Sequence, residues 1–113
     1  MSNPSSRPLI IFAAAILGLG LSSTAFAQVD AETVFKENDC HKCHHATKAK
    51  KGPSLEAIAA KYKTKKLDEA EAIKHMTAGK KVKLEDGTEE EHKKIDTKDV
   101  GVQKAVAKWM LDR

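Results

Sequence analysis

Cys40-His41-Lys42-Cys43-His44 is the stretch on which the reading of this 113-residue chain turns. Two thiols and an imidazole directly after the second make a C-x-x-C-H motif, and four chemistries compete for it. A structural disulfide needs both cysteines but gives His44 no role. A thioredoxin-like redox pair wants a preceding strand and a βαβ context, and neither pattern is present. A zinc site wants a second cysteine or histidine pair at finger-like spacing, and only the distant His75 and His92 remain. Covalent attachment of a c-type haem uses all three side chains. One turn of chain puts both thiols beneath the two vinyl groups of the porphyrin, where they add as thioethers, and sets His44 below the metal. Neutral imidazole binds both oxidation states of haem iron, so His44 is the expected proximal ligand.

The residues upstream of the motif read as an export signal. Arg7 supplies the positive start, Leu9 to Leu21 is an almost unbroken apolar run, and Ala25-Phe26-Ala27 has the small-x-small pattern of a cleavage site. The run falls short of the roughly 20 residues that span a bilayer. No cysteine follows the cleavage site to carry a lipid. Residues 1–27 are therefore expected to be a signal peptide and residues 28–113 the mature domain, soluble in the periplasm with no membrane anchor after cleavage. Its 86 residues hold only three aromatic side chains, Phe35, Tyr62 and Trp109, and are rich in lysine. A chain this small commonly needs a staple or a bound group to complete its interior, and a buried haem would supply the missing apolar volume.

Downstream, the periodicity is helical. Asp30 to Asn38 places Ala31, Val34 and Phe35 on one side. Ser54 is a suitable N-cap for a helix carrying Leu55, Ile58, Ala59 and Tyr62. Leu67 to Ala78 sets Leu67, Ala70, Ile73 and Thr77 along one stripe, with Gly79 as C-cap. Thr97 or Asp99 caps a last helix with Val102, Ala105, Val106, Trp109 and Met110 on its apolar face. Lys80 to Lys94 shows no period and no strand of useful length, with Asp86-Gly87 as a turn signal. The expected fold class is all-α, about four helices and one long irregular loop. A loop of that length in a small domain has a job or is disordered.

With these residues in place, the chain resembles the class I cytochromes c of the small bacterial, monohaem type. The resemblance covers nearly all of the mature chain: Val34-Phe35, the C-x-x-C-H motif, Gly52-Pro53-Ser54-Leu55, Ile58-Ala59-Ala60-Lys61-Tyr62 and Ala107-Lys108-Trp109-Met110-Leu111. It implies that the first and last helices cross, with Phe35 and Trp109 packed at the crossing. It also implies that the Pro53 carbonyl accepts a hydrogen bond from His44, fixing the ring and raising its donor strength.

The chain departs from that family where the second axial ligand is due. The family's ligand is a methionine in the loop before the last helix, and Lys80 to Thr97 contains neither methionine nor proline. His92, 17 residues before Trp109, is its one good metal ligand. Bis-histidine ligation by His44 and His92 is the expectation, with Met76 and an open sixth position as the alternatives. His75 faces away from the expected stripe as Met76 does, Met110 belongs to the last apolar face, and His41 and His45 are expected at the surface. Imidazole in place of a thioether favours the ferric form and lowers the potential.

Outside residues 1–27 the chain has 19 basic and 16 acidic residues, a mild excess before the haem propionates are counted. Lys42, Lys48, Lys50 and Lys51 cluster after the attachment site, and Lys61, Lys63, Lys65 and Lys66 follow. Lysines near a haem edge steer a protein onto an acidic redox partner through weak, salt-sensitive association. Nucleic acid is a poor fit for an exported chain. The expected function is electron carriage by one covalent haem, with no bond-making at a substrate. A haem protein binding small ligands at an open site, or a haem subunit of a larger oxidoreductase, is the alternative.

Overall fold

Asp30 starts the first helix, and its carboxylate accepts hydrogen bonds from both the amide and the hydroxyl of Thr33. The computed structural model describes residues 29–113 together with the isolated positions Ala15, Gly18 and Gly20. The expected signal peptide and its cleavage site lie outside the described residues. Helix α1 spans Ala31–Glu37, and the thiol-bearing turn Cys40–Lys42 follows it. Helices α2, α3 and α4 span Leu55–Lys65, Glu69–Ala78 and Val100–Leu111. Each has a side-chain cap at its start: Ser54 for α2, Asp68 for α3 and Asp99, rather than Thr97, for α4. Gly79 closes α3 at φ 62°, as its position in the sequence suggests.

Helix α4 is the hub, packing against α1, α2 and α3. Val106 and Ala107 at its centre are 1% and 0% exposed. Small side chains there let the other helices approach closely. Where α1 crosses α4, Phe35 and Trp109 meet with ring centres 5.1 Å apart, tilted by 55°. That is the aromatic crossing expected from the sequence, in a favourable tilted arrangement. Four of the ten buried apolar residues among the described residues are alanines. The interior is as thin as the composition suggests.

Two expectations are corrected. The stretch after Gly79 is not irregular: β1 (Lys81–Lys83) pairs antiparallel with β2 (Glu89–Glu91), so the all-α frame carries a small hairpin. Lys81 faces Glu91 and Lys83 faces Glu89, opposite charges set directly across the ladder. Gly87, at φ 85°, takes the left-handed position of the turn, while Asp86 accepts from the Thr88 amide at 2.9 Å. The strands are three residues long and charged on nearly every position, so hydrophobic alternation could not announce them.

The inward face of α3 is also rotated from the expected stripe. Ala72 and Met76 are buried, with Ile73 partly so, whereas Leu67, Ala70 and Thr77 are exposed. Asp68 caps the helix, so Leu67 falls outside it and cannot anchor that face. Met76 accordingly sits in the hydrophobic core beside Ala31, Ile95 and Val106, which the sequence reading did not foresee.

Candidate functional site

The turn after α1 brings the motif's three functional side chains together. Asp39 adopts a left-handed conformation (φ 59°), a position that Asp tolerates better than most residues, and reverses the chain. The amides of Cys43 and His44 then both donate to the Cys40 carbonyl, at 3.2 and 3.0 Å. One tight turn therefore carries both thiols and the imidazole. Cys40 and Cys43 are unpaired, partly buried thiols, and burial pushes the Cys40 thiol above its usual range.

His44 is held by the loop that follows. Its Nδ1 lies 2.7 Å from the Pro53 carbonyl oxygen. A carbonyl can only accept, so Nδ1 carries the proton and Nε2 keeps its lone pair free. Gly52 makes this approach possible. A Cβ there would lie 2.9 Å from His44 Cε1 and 3.2 Å from Nδ1. The Gly52 amide donates to the Cys43 carbonyl at 3.0 Å, and the Leu55 amide donates to the His45 carbonyl at 2.9 Å, tying the loop to the start of α2.

The hairpin brings a second imidazole to the site. Its backbone places His92 directly after β2, and the His92 amide donates to the Lys80 carbonyl at 2.9 Å. Three residues on, the Ile95 amide donates to the Met76 carbonyl at 2.9 Å, and the Asp96 amide to Asn38 Oδ1 at 2.6 Å. An ion pair between Lys93 and Asp39 (2.6 Å) ties the same segment to the turn ahead of the motif. The Glu85 amide donates to the Lys51 carbonyl at 3.1 Å, joining the hairpin tip to the loop around His44.

These ties bring the His44 and His92 rings to a centre-to-centre distance of 6.1 Å, with planes 42° apart. At that spacing the two imidazoles could hold one haem iron between them, and imidazole is a donor that haem iron takes. His92 Nδ1 is buried and has no hydrogen-bond partner. Loss of hydration, then repulsion from His75 and His44, holds the His92 imidazole below its ordinary range and favours the neutral, ligating form. Among the described residues, no cluster of three or more His, Cys, Asp or Glu side chains could hold a metal ion by themselves.

The other sequence candidates are placed as follows. His75, on the last turn of α3, lies with its ring centre 4.3 Å from that of His92. It is largely exposed, yet partial desolvation and the charges of His44, Lys61 and Lys80 hold it below the usual range. Met110 is core, as expected. His41 and His45 are not fully at the surface. His41 Nδ1 is buried without a partner, and His45 Nδ1 accepts from the amides of Thr47 and Lys48, both at 3.1 Å. Sequence reasoning missed Asn38, Asp39 and Ile95, which tie down the segment that follows His92. Only the polar Asn-Asp pair between helix and motif hinted at a turn.

The sequence profile of the cytochrome c family matches residues 28–111. A search of proteins with curated function found no match. Among solved structures, the chain is similar to the class 1 cytochrome MtoD from Sideroxydans lithotrophicus ES-1. The two share 43% identity over 75% of this chain and 97% of that one, with a TM-score of 0.68. A covalently bound c-type haem and haem-based electron transfer follow from that kinship. The Gly52-Pro53 cradle, the paired thiols and the helix crossing thus meet a family match over most of the sequence, and the chain belongs to the cytochrome c family, in its class I branch.

Proposed function

We propose that this protein is a periplasmic single-haem electron carrier, not an enzyme, with Cys40 and Cys43 as the thioether attachments, His44 as the proximal ligand and His92 as the distal one. The observation that carries the distal assignment is the 6.1 Å separation of the two imidazole rings. The haem, when bound, supplies a reversible one-electron couple. The protein's own residues do the rest. Pro53 accepts the Nδ1 proton of His44, orients the ring and raises the basicity of Nε2. Desolvation, and then repulsion from His75 and His44, holds the His92 imidazole below its ordinary range. Two imidazole donors favour the ferric state relative to a histidine and a thioether.

The partner is an acidic redox protein. Lys42, Lys48, Lys50 and Lys51 are all exposed on the motif and its loop, where they flank the attachment turn. Their side chains give steering and salt sensitivity rather than tight binding. Among the described residues no helix is long and apolar enough to cross a membrane. Periplasmic residence rests on the signal-like reading of residues 1–27.

Optical and electron paramagnetic resonance spectra of the haem-loaded protein and of His92→Ala test the ligand set. The wild type is expected to be low-spin with two imidazoles, and His92→Ala to lose that signature and bind added imidazole. An unchanged spectrum in the variant would overturn the distal assignment.

A further inference from the structure

The two proposed ligands are held in different ways. His44 is fixed by a hydrogen bond from Nδ1 to the Pro53 carbonyl. His92 has no such restraint: its Nδ1 is buried and has no partner. Its backbone is tethered by the Lys80 carbonyl, but a backbone tether leaves the ring free to rotate about its side-chain bonds. What the ring does touch is His75. The two ring centres are 4.3 Å apart at 56°, closer than Phe35 and Trp109 at the helix crossing. His75 is well placed to act as a fixed surface. It precedes Met76, whose side chain is buried in the core and whose carbonyl accepts from the Ile95 amide. The helix carrying His75 and the strand exit carrying His92 are therefore locked to each other.

From this juxtaposition we infer that His75 is a positioning residue for His92, setting the orientation of the distal imidazole by ring packing and slowing its departure from the metal. The inference rests on the proposed ligation by His92. It predicts that an aromatic ring at position 75 is needed and that its nitrogen atoms are not.

The test uses the haem-loaded protein with His75→Ala and His75→Phe. Two quantities are read: the ferric electron paramagnetic resonance g values, which follow the angle between the imidazole planes, and the rate of cyanide binding, which requires His92 to leave. Ring pairs of this kind shift equilibria by about two- to tenfold. His75→Ala is expected to speed cyanide binding by about that factor and to move or broaden the g values. His75→Phe is expected to restore both. Wild-type behaviour of His75→Ala would overturn the inference, as would a His75→Phe variant that behaves like the alanine. Failure of the underlying ligand reading shows separately, as a wild-type spectrum without a bis-imidazole signature.

Discussion

Gly52→Ala is the smallest substitution that reaches His44. The added methyl would lie 2.9 Å from Cε1, 3.2 Å from Nδ1 and 3.4 Å from the Cys43 carbonyl oxygen. Carbon pairs are comfortable at about 3.5–4.0 Å, so the ring must back away by roughly 0.6 Å. Taken along the 2.7 Å hydrogen bond to Pro53, that movement brings the contact to the outer limit of useful geometry. Overpacking of this kind costs about 1–3 kcal/mol, and the weakened hydrogen bond adds about 0.5–1.5 kcal/mol. The backbone of Gly52 is not in the left-handed region, so alanine also recovers about 0.4–1 kcal/mol by restricting the unfolded chain. The steric terms win, leaving a net loss of about 1–3 kcal/mol. The assay is a denaturant titration of the haem-loaded protein, where the midpoint is expected to fall at constant slope. The same displacement weakens the donor strength of His44, so the reduction potential should rise. A Gly52→Ala protein as stable as the wild type, with an unchanged potential, would refute the claim that this glycine makes room for the ring.

Asn38→Ala removes the acceptor of the Asp96 amide and the donor to the Val34 carbonyl, and is expected to cost about 1 kcal/mol. Hydrogen exchange should then increase at Ile95 and Asp96 before it increases in α4. Asp30, Asp39 and Asp86 are held below 3.8, chiefly by Thr33, by Lys93 and then Lys42, and by Thr88 respectively. Because their folded values are depressed, their contribution is intact above the unfolded value and lost as pH falls through the folded one, below about pH 4. Asp39→Asn should flatten the acid limb of stability against pH without altering its neutral plateau, as followed by denaturant midpoints across that range. Cys40→Ala/Cys43→Ala, made so that no haem is attached, should leave a chain without a cooperative thermal transition by circular dichroism, because the interior is alanine-rich. A sharp, native-like melt of that chain would show that the core needs no added group.

Much of the frame was legible because its signals are local. Asp30, Ser54 and Gly79 mark helix ends through their own side-chain or backbone chemistry, and they do so in the structure. The Phe35 and Trp109 crossing followed from the family resemblance and is present at 5.1 Å. The hairpin was missed for a physical reason. Lys81-Val82-Lys83 and Glu89-Glu90-Glu91 offer little hydrophobic alternation, and their opposite charges come into register only across the ladder. The inward turn of Met76 was missed because α3 has two plausible apolar faces, and contact with α4 selects between them.

By itself the sequence determined the attachment chemistry, the helical frame and the scarcity of apolar volume, since motif spacing, caps and composition act within a few residues of themselves. Only the tertiary structure decided which side chain stands close to His44. His92 lies 48 residues further along the chain, and nothing local aims it. Its place follows from the β1–β2 pairing, from the amide of Ile95 on Met76 and from that of Asp96 on Asn38. Long-range hydrogen bonds of that kind form only once the helices have packed, and so the facing of two imidazoles is a property of the fold and not of any one segment.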